Sequence, residues 1–328
     1  MIPAGPRRPA SRHWLLLLVG LGLVGLVAIA LAARLPERPI ASGGIPAASA
    51  GVGGAPTGAS SPGTPPGRLV GAGDIASCGS SGDEATARLV ASLPGTVFTA
   101  GDNAYQRGTD DEFARCYDPT WGRFRTRTRP APGNHDHETR GAAGYFRYFG
   151  AAAGEPGRGW YAWDEGSWRV YVLDSTCEVV GCGEDSEQMR WLVGDLAAQP
   201  RSCVAAIWHH PLFTSSRREG RAAMRAAWQA LHEARAELVI NGHEHHYERF
   251  APQDPQGRAD PARGIRQFVV GTGGRSLYRF GQTRPNSEVR DASTYGALAL
   301  ELRADGYAWR FLPTEAAGFS DGGEGPCH

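Results

Sequence analysis

The chain has 328 residues, 41% of them hydrophobic, and its 34 basic side chains balance 34 acidic ones. That length supplies ample core for one large domain or two small ones. A formal charge of zero excludes the basic footprint of a nucleic-acid binder, so no nucleic acid is expected as a stable partner. Every basic side chain is arginine, and lysine is absent.

Residues 1–13 carry Arg7, Arg8 and Arg12, and residues 14–33 are twenty apolar residues without a charge. Twenty residues rising 1.5 Å each span about 30 Å, the hydrocarbon core of a bilayer. The arginines in front favour a cytoplasmic N-terminus with the rest of the chain exported. A cleaved signal sequence competes with this reading, because Ala30-Leu31-Ala32 is a small-x-small site. The length favours a retained anchor, since a signal's apolar region spans only ~7–15 residues. Residues 34–67 are rich in Pro, Ala, Gly and Ser and read as a flexible, disordered linker. A globular domain is then expected over 68–328. Setting aside the five arginines and one glutamate of residues 1–67 leaves 29 basic against 33 acidic side chains.

From residue 68 onward short apolar runs alternate with helical spacing. Strands are expected at 68–73, 96–101, 170–173, 203–208, 236–240 and 267–270, each with too few polar residues to face water. Between the first two, residues 83–93 place Ala85, Leu89 and Val90 on one helical face. Residues 295–302 and 307–312 flank Ala304-Asp305-Gly306 as a hairpin. The aromatic stretches 145–149 and 160–163 read first as core packing. Cys78, Cys116, Cys177, Cys182, Cys203 and Cys327 all follow the apolar segment, and an even number in an exported chain suits disulfides. Their pairing stays open, although Cys177 and Cys182 are spaced to close a tight loop.

Five expected strand ends carry potential metal ligands: Gly73-Asp74, Gly101-Asp102-Asn103-Ala104-Tyr105, Gly133-Asn134-His135-Asp136, His209-His210-Pro211 and Gly242-His243-Glu244-His245. Open α/β sheets put their sites at the carboxyl ends of strands. Each motif alone is weak, since a Gly-Asp pair is usually a plain turn; their number and order carry the signal. A zinc-protease reading of His243-Glu244 fails, because the fourth position after His243 is Tyr247. Gly271-Thr-Gly-Gly274 lacks the Gly-Lys-Ser/Thr ending of a phosphate loop and reads as a tight turn near the site.

This ordered set resembles the calcineurin-like metallophosphoesterase superfamily and, within it, the purple acid phosphatase branch, over about residues 68–313. Most of the superfamily has Asp-x-His at the first motif, whereas Ile75 and Ala76 follow Asp74 here. Tyr105, in Asp102-x-x-Tyr105, replaces that histidine as it does in purple acid phosphatases. The resemblance implies an α/β fold of two mixed β-sheets packed as a sandwich and flanked by helices, with metals at the loop edge. It implies one metal bound by Asp74, Asp102, Tyr105 and His245, and a second bound by Asp102, Asn134, His209 and His243. Phenolate and carboxylates suit Fe(III); the Asn134 oxygen and two imidazoles suit Fe(II), Zn or Mn. His209 is the ligand of its adjacent pair because the family pattern is His-x-Pro, leaving His210 a supporting or structural role. His135 is expected to face the substrate, contacting a phosphoryl oxygen or protonating the departing alkoxide. Asp136 is expected to orient His135.

The expected function is an extracytoplasmic dimetal phosphoesterase acting on small phosphate monoesters, with water activated by the metals for in-line attack. The same centre also fits a phosphodiesterase or nucleotidase, and a catalytically silent surface binding protein remains as the non-enzyme reading. Tyr247, Glu248 and Arg249 are expected to brace the site loop, His246 to lie in the pocket or at the surface, and His137 and His232 at the surface. Neither the natural substrate nor the oligomeric state is legible.

Overall fold

The computed structural model describes residues 65–328. The expected N-terminal segment, the anchor or signal at 14–33 and nearly all of the linker lie outside the described residues. Among those that are described, no helix is long and apolar enough to cross a membrane.

Two mixed sheets form the core. The first runs, edge to edge, Asp321–Pro326, Gly306–Pro313, Gly296–Leu302, Gly67–Ala72, Thr96–Ala100 and Thr128–Ala131, and its last three strands are parallel. The second runs Ser287–Asp291, Tyr247–Phe250, Arg266–Val270, Leu238–Asn241, Val204–Ile207, Trp168–Val172 and Tyr161–Glu165, with a parallel centre from Arg266–Val270 to Trp168–Val172. Side chains alternate across a strand with period two, and the packing follows that rule. Val170, Val172, Ala205, Ile207, Leu238 and Ile240 face Leu69, Phe98, Leu298 and Phe311 between the sheets. Their sequence neighbours Tyr171, Val204, Ala206 and Val239 face the other way, onto Met189, Leu192, Trp228 and Leu231 of helices Glu187–Ala198 and Arg225–Glu233. On the outer face of the first sheet, Val70, Ala72 and Val97 meet Ala87 and Val90 of helix Gly82–Ala91 and the aromatic cluster Phe113, Tyr117, Tyr145 and Phe149. The result is a helix–sheet–sheet–helix stack that buries the central strands on both faces, which is why most of the parallel strands read as continuous apolar runs.

The expected strands and the 83–93 helix appear with ends shifted by at most two residues, and the 295–302/307–312 hairpin forms as Gly296–Leu302 against Gly306–Pro313. Other strands have no clear signature in the sequence. Tyr161–Glu165, Tyr247–Phe250 and Ser287–Asp291 are short and polar. Asp321–Pro326, with the sequence Asp-Gly-Gly-Glu-Gly-Pro, has almost no intrinsic strand preference. It is held as an edge strand by its antiparallel partner and by the Cys203–Cys327 disulfide just beyond it. Cys78–Cys116 and Cys177–Cys182 complete three disulfides that use all six cysteines. The 145–149 stretch is core, as expected, with Tyr145, Phe146 and Phe149 buried.

Three expected roles are corrected. Tyr247–Phe250 is a strand, from which Tyr247 and Arg249 both donate to Asp321 at 2.7 Å. His246 is fully buried, neither in the pocket nor at the surface, with its ring 4.2 Å from that of Phe280. His137 and His232 are not surface residues: their Nε2 atoms lie 2.7 Å from Asp174 and 3.0 Å from Asp260, with the rings mostly shielded. An imidazole is readily buried once a carboxylate meets its N–H, and sequence spacing does not reveal such a partner.

Candidate metal centre

The five motif loops leave the carboxyl ends of five strands, three from the first sheet and two from the second, and converge at one edge of the sandwich. Backbone bonds lock the two sheets together there. Gly73 N–H donates to the Val270 carbonyl at 2.9 Å, and His243 N–H donates to Asp74 Oδ2 at 2.8 Å. Asp102 Oδ1 in turn accepts from His135 N–H at 2.8 Å. Each aspartate thus has one oxygen tied to backbone, which aims the other at the centre. Asp74, Asp102 and His243 all adopt left-handed backbone, with φ of 59°, 52° and 67°. Such conformations cost on the order of 1–3 kcal/mol each and concentrate at functional sites. Gly133 permits the closest approach: a Cβ there would overlap Asp102 Oδ1.

The inward atoms form two sets of four. In the first, Tyr105 Oη lies 2.8 Å from Asp74 Oδ1, 2.9 Å from Asp102 Oδ2 and 3.3 Å from His245 Nε2. In the second, His209 Nε2 lies 3.2 Å from Asp102 Oδ2, 3.2 Å from Asn134 Oδ1 and 3.3 Å from His243 Nδ1. Asn134 Oδ1 and His243 Nδ1 are 3.1 Å apart. Asp102 Oδ2 belongs to both sets.

Proton counting shows what such a set is fit for. His209 Nδ1 lies 2.8 Å from the Ala100 carbonyl oxygen, which only accepts, so Nδ1 carries a proton and the neutral ring presents its Nε2 lone pair inward. Facing it are a carboxylate oxygen, an amide oxygen and a second imidazole nitrogen. Tyr105 has one proton for three acceptors. Oxygen and nitrogen lone pairs crowded at about 3 Å, with too few protons between them, fit cations rather than hydrogen bonds. The titration of these groups carries the same conflict. Burial disfavours a charged His209, yet Asp102 and Asp74 outweigh it and push the ring up to about 9. Burial and then His209 push His243 down to about 3. Burial, reinforced by Asp102 and Asp74, holds the Tyr105 phenol well above its usual value.

Every expected ligand, Asp74, Asp102, Tyr105, Asn134, His209, His243 and His245, is therefore brought to one place. His135 stands at the rim, its Nε2 4.0 Å from Asp102 Oδ2 and its ring 4.6 Å from that of Tyr105. Its Nδ1 is 2.6 Å from the Gln106 carbonyl oxygen. Asp136 does not orient it. That carboxylate is fully buried and accepts instead from Gly133 N–H at 2.9 Å and from the Asn103 side chain at 2.9 Å. Burial, with Asp102 nearby, raises Asp136 to about 6. Its effect is to pin the 133–136 turn against the 102–103 turn.

Other residues at the site had no motif. Ser175 Oγ accepts from His210 N–H at 2.9 Å and lies 2.9 Å from His210 Nδ1, which holds the His210 ring in place. Tyr278 donates to the His243 carbonyl at 2.8 Å and stacks on His245 at 4.5 Å. Arg275 lies over the Tyr105 ring at 5.2 Å, and its backbone N–H reaches the Asp74 carbonyl at 2.9 Å. The nearby Gly271-Thr-Gly-Gly274 turn was the one sequence signal for this side of the site.

Comparisons with known proteins agree with this geometry. The family model for calcineurin-like phosphoesterase matches residues 67–247, more than half of the chain. Purple acid phosphatase 15 of Arabidopsis thaliana is 27% identical over 78% of this chain and 54% of its own length. An uncharacterised protein of Mycobacterium tuberculosis is 30% identical over 45% of this chain and 35% of its own. The chain thus spans about half the length, or less, of these relatives. Among solved structures, purple acid phosphatase PPD1 from yellow lupin seeds superposes with a TM-score of 0.63 at 17% identity, covering 80% of this chain and 54% of that one. GAP50, described as the anchor in the inner membrane complex of Plasmodium, superposes at 0.59 with 13% identity, covering 78% and 88%. Both likenesses speak to the fold alone. With the family model spanning all five ligand-bearing loops, this chain belongs to the calcineurin-like phosphoesterase family, in a form similar to the purple acid phosphatases.

Proposed function

We propose that this chain is a metal-dependent phosphoesterase with a two-metal centre, hydrolysing small phosphate monoesters outside the cytoplasm. The observation that carries the reading is the pair of four-atom donor sets sharing Asp102 Oδ2. Asp74, Asp102, Tyr105 and His245 would hold one cation, and Asp102, Asn134, His209 and His243 the other. The anionic first set suits a ferric ion and the more neutral second set suits divalent Fe, Zn or Mn. Bound there, two cations supply Lewis-acid charge to a phosphoryl oxygen and lower the pKa of water toward neutrality.

The chain's own residues complete the chemistry. The Gln106 carbonyl requires a proton on His135 Nδ1, so a second proton on Nε2 makes His135 the donor to a phosphoryl or departing oxygen. The His210 ring, held by Ser175, stands in the wall of the adjoining cleft. Asp136 and the left-handed Asp74, Asp102 and His243 hold the loops rigid, so ligand positions are set before substrate arrives. The likeness to Purple acid phosphatase 15 supports the choice of monoesters. Three formed disulfides and the apolar 14–33 segment support an exported, membrane-anchored protein.

The test is hydrolysis of an aryl phosphomonoester and the matching diester by the metal-loaded, disulfide-intact chain across pH. Faster monoester turnover is expected. Diester preference would move the assignment to a phosphodiesterase or nucleotidase, and no turnover of either would replace it with the binding-protein reading. A ferric ion on Tyr105 predicts a visible phenolate charge-transfer band that Tyr105→Phe abolishes; a colourless protein holding only zinc overturns that metal assignment.

A further inference from the structure

Two clefts adjoin the metal centre and share Arg218. The first, about 650 Å³, opens beside His243 and His210. The second, about 470 Å³, is lined by Ser216, Arg217, Arg218, Leu277, Tyr278 and Arg279. Three of its six lining residues are arginines, and all three are exposed. Among the described residues none of the three forms a salt bridge, whereas Arg221 beside them pairs with Glu178. Glu219, the acidic neighbour of Arg218 in sequence, lines the first cleft.

The floor of this cationic cleft is built on the metal centre itself. The Arg218 guanidinium lies 5.7 Å from the Tyr278 ring, which stacks 4.5 Å from His245 and anchors its hydroxyl on the His243 carbonyl. Those two steps keep the Arg218 charge within about 10 Å of a ligand histidine. Guanidinium groups gathered without counter-charge repel one another, and an oxyanion that accepts from several of them relieves that repulsion. The apolar part of the lining, Leu277 and Tyr278, suits contact with a short carbon linker between two anionic groups.

Resting on the phosphoesterase reading above, we propose that the second cleft receives a second phosphoryl group of the substrate. The preferred substrates are then phosphate monoesters bearing a further phosphate a few bonds from the one that reacts, with Arg217, Arg218 and Arg279 as its receptors.

The experiment compares butyl phosphate with butane-1,4-diol bisphosphate as substrates of the metal-loaded full chain at low ionic strength. In parallel, calorimetry measures binding of butane-1,4-bisphosphonate and butylphosphonate, which cannot be hydrolysed. Two equivalent phosphates alone give the bisphosphate a twofold statistical advantage in kcat/KM. A preference of about tenfold or more is expected, the size of effect that charge-assisted hydrogen bonds to the second phosphate supply. Arg218→Ala and Arg279→Ala should each pull that ratio toward two, and the triple variant with Arg217→Ala should reach it. Arg310→Ala, an exposed position on strand Gly306–Pro313, should leave the ratio as it is. Because the three arginines are exposed, removing them opens no core cavity.

Turnover of both esters at the statistical ratio overturns the subsite and leaves the phosphoesterase reading standing. A larger ratio that survives the triple substitution also overturns it. If neither ester turns over but the bisphosphonate binds about tenfold tighter than the monophosphonate, and Arg218→Ala erases that difference, the subsite stands and the phosphoesterase reading falls. If neither ester turns over and the two phosphonates bind alike, both fall.

Discussion

The two ends of the central strands use buried polarity in opposite ways. At the carboxyl ends, Asp102, Asp74, Asn134 and three histidines point lone pairs at one another across about 3 Å, on loops held in left-handed conformations. At the amino ends, the buried carboxylate of Glu237 is met by backbone donors, Val204 N–H at 2.6 Å and His328 N–H at 3.2 Å. The Cys203–Cys327 disulfide is formed by the residue just before strand Val204–Ile207. One end is assembled for a ligand that completes it; the other is complete by itself. Substitutions at the first should therefore cost activity more than stability, and substitutions at the second the reverse.

The largest effect is expected from Asp102→Asn, which removes the only oxygen common to both donor sets. Turnover of an aryl monoester should fall on the order of 10³-fold, and bound metal measured by elemental analysis should drop below two per chain. The unfolding midpoint of the metal-free protein should change little, since the substitution also relieves the crowding of acceptors. A metal-free chain that unfolds far more easily would break the contrast.

Next, Cys203→Ser with Cys327→Ser opens a loop of 124 residues. Loop-closure entropy puts the cost at about 4–5 kcal/mol, read from denaturant unfolding. The kcat of the molecules still folded should stay near that of the parent chain. A comparable loss of kcat would show that the two ends are coupled.

The smallest effect is a pH dependence. Burial raises Glu237 to about 7, against an ordinary value of 4.5. Because the folded state holds this proton more tightly than the unfolded one, stability falls as pH rises from about 4.5 to 7 and then levels. Glu237→Gln removes that slope, so the variant should gain on the parent with rising pH, by up to about 3 kcal/mol at neutrality. Unfolding curves at pH 4.5 and 7.5 check the sign; a variant that gains nothing between them would show Glu237 ionised at ordinary pH.

Asp74, Asp102, His209 and His243 were legible because each follows an apolar run that reads as a buried strand, and Asp74, Asp102, Asn134 and His243 each follow a glycine that lets loops touch. Chain order brought out the five motifs, and the family resemblance then singled out Asp74, Asp102, Asn134, His209 and His243 within them. The role of Asp136 was not legible, since a carboxylate next to His135 in sequence turns out to be satisfied by Gly133 and Asn103. Nor were those of His137 and His232, whose partners Asp174 and Asp260 are 37 and 28 residues away.

What the amino-acid sequence determined by itself is the alternation of apolar runs and helices, the order of the ligand-bearing loops and the family they resemble. Those rest on short-range periodicity and on residue types whose chemistry is local. Only the tertiary structure decided which atoms face one another. It put Asp102 Oδ2 in both donor sets, seated Tyr278 on His245, formed a strand from Asp-Gly-Gly-Glu-Gly-Pro and gathered Arg217, Arg218 and Arg279 over one cleft. Each depends on segments tens to more than a hundred residues apart being packed to within a few ångströms, and no local preference encodes that distance.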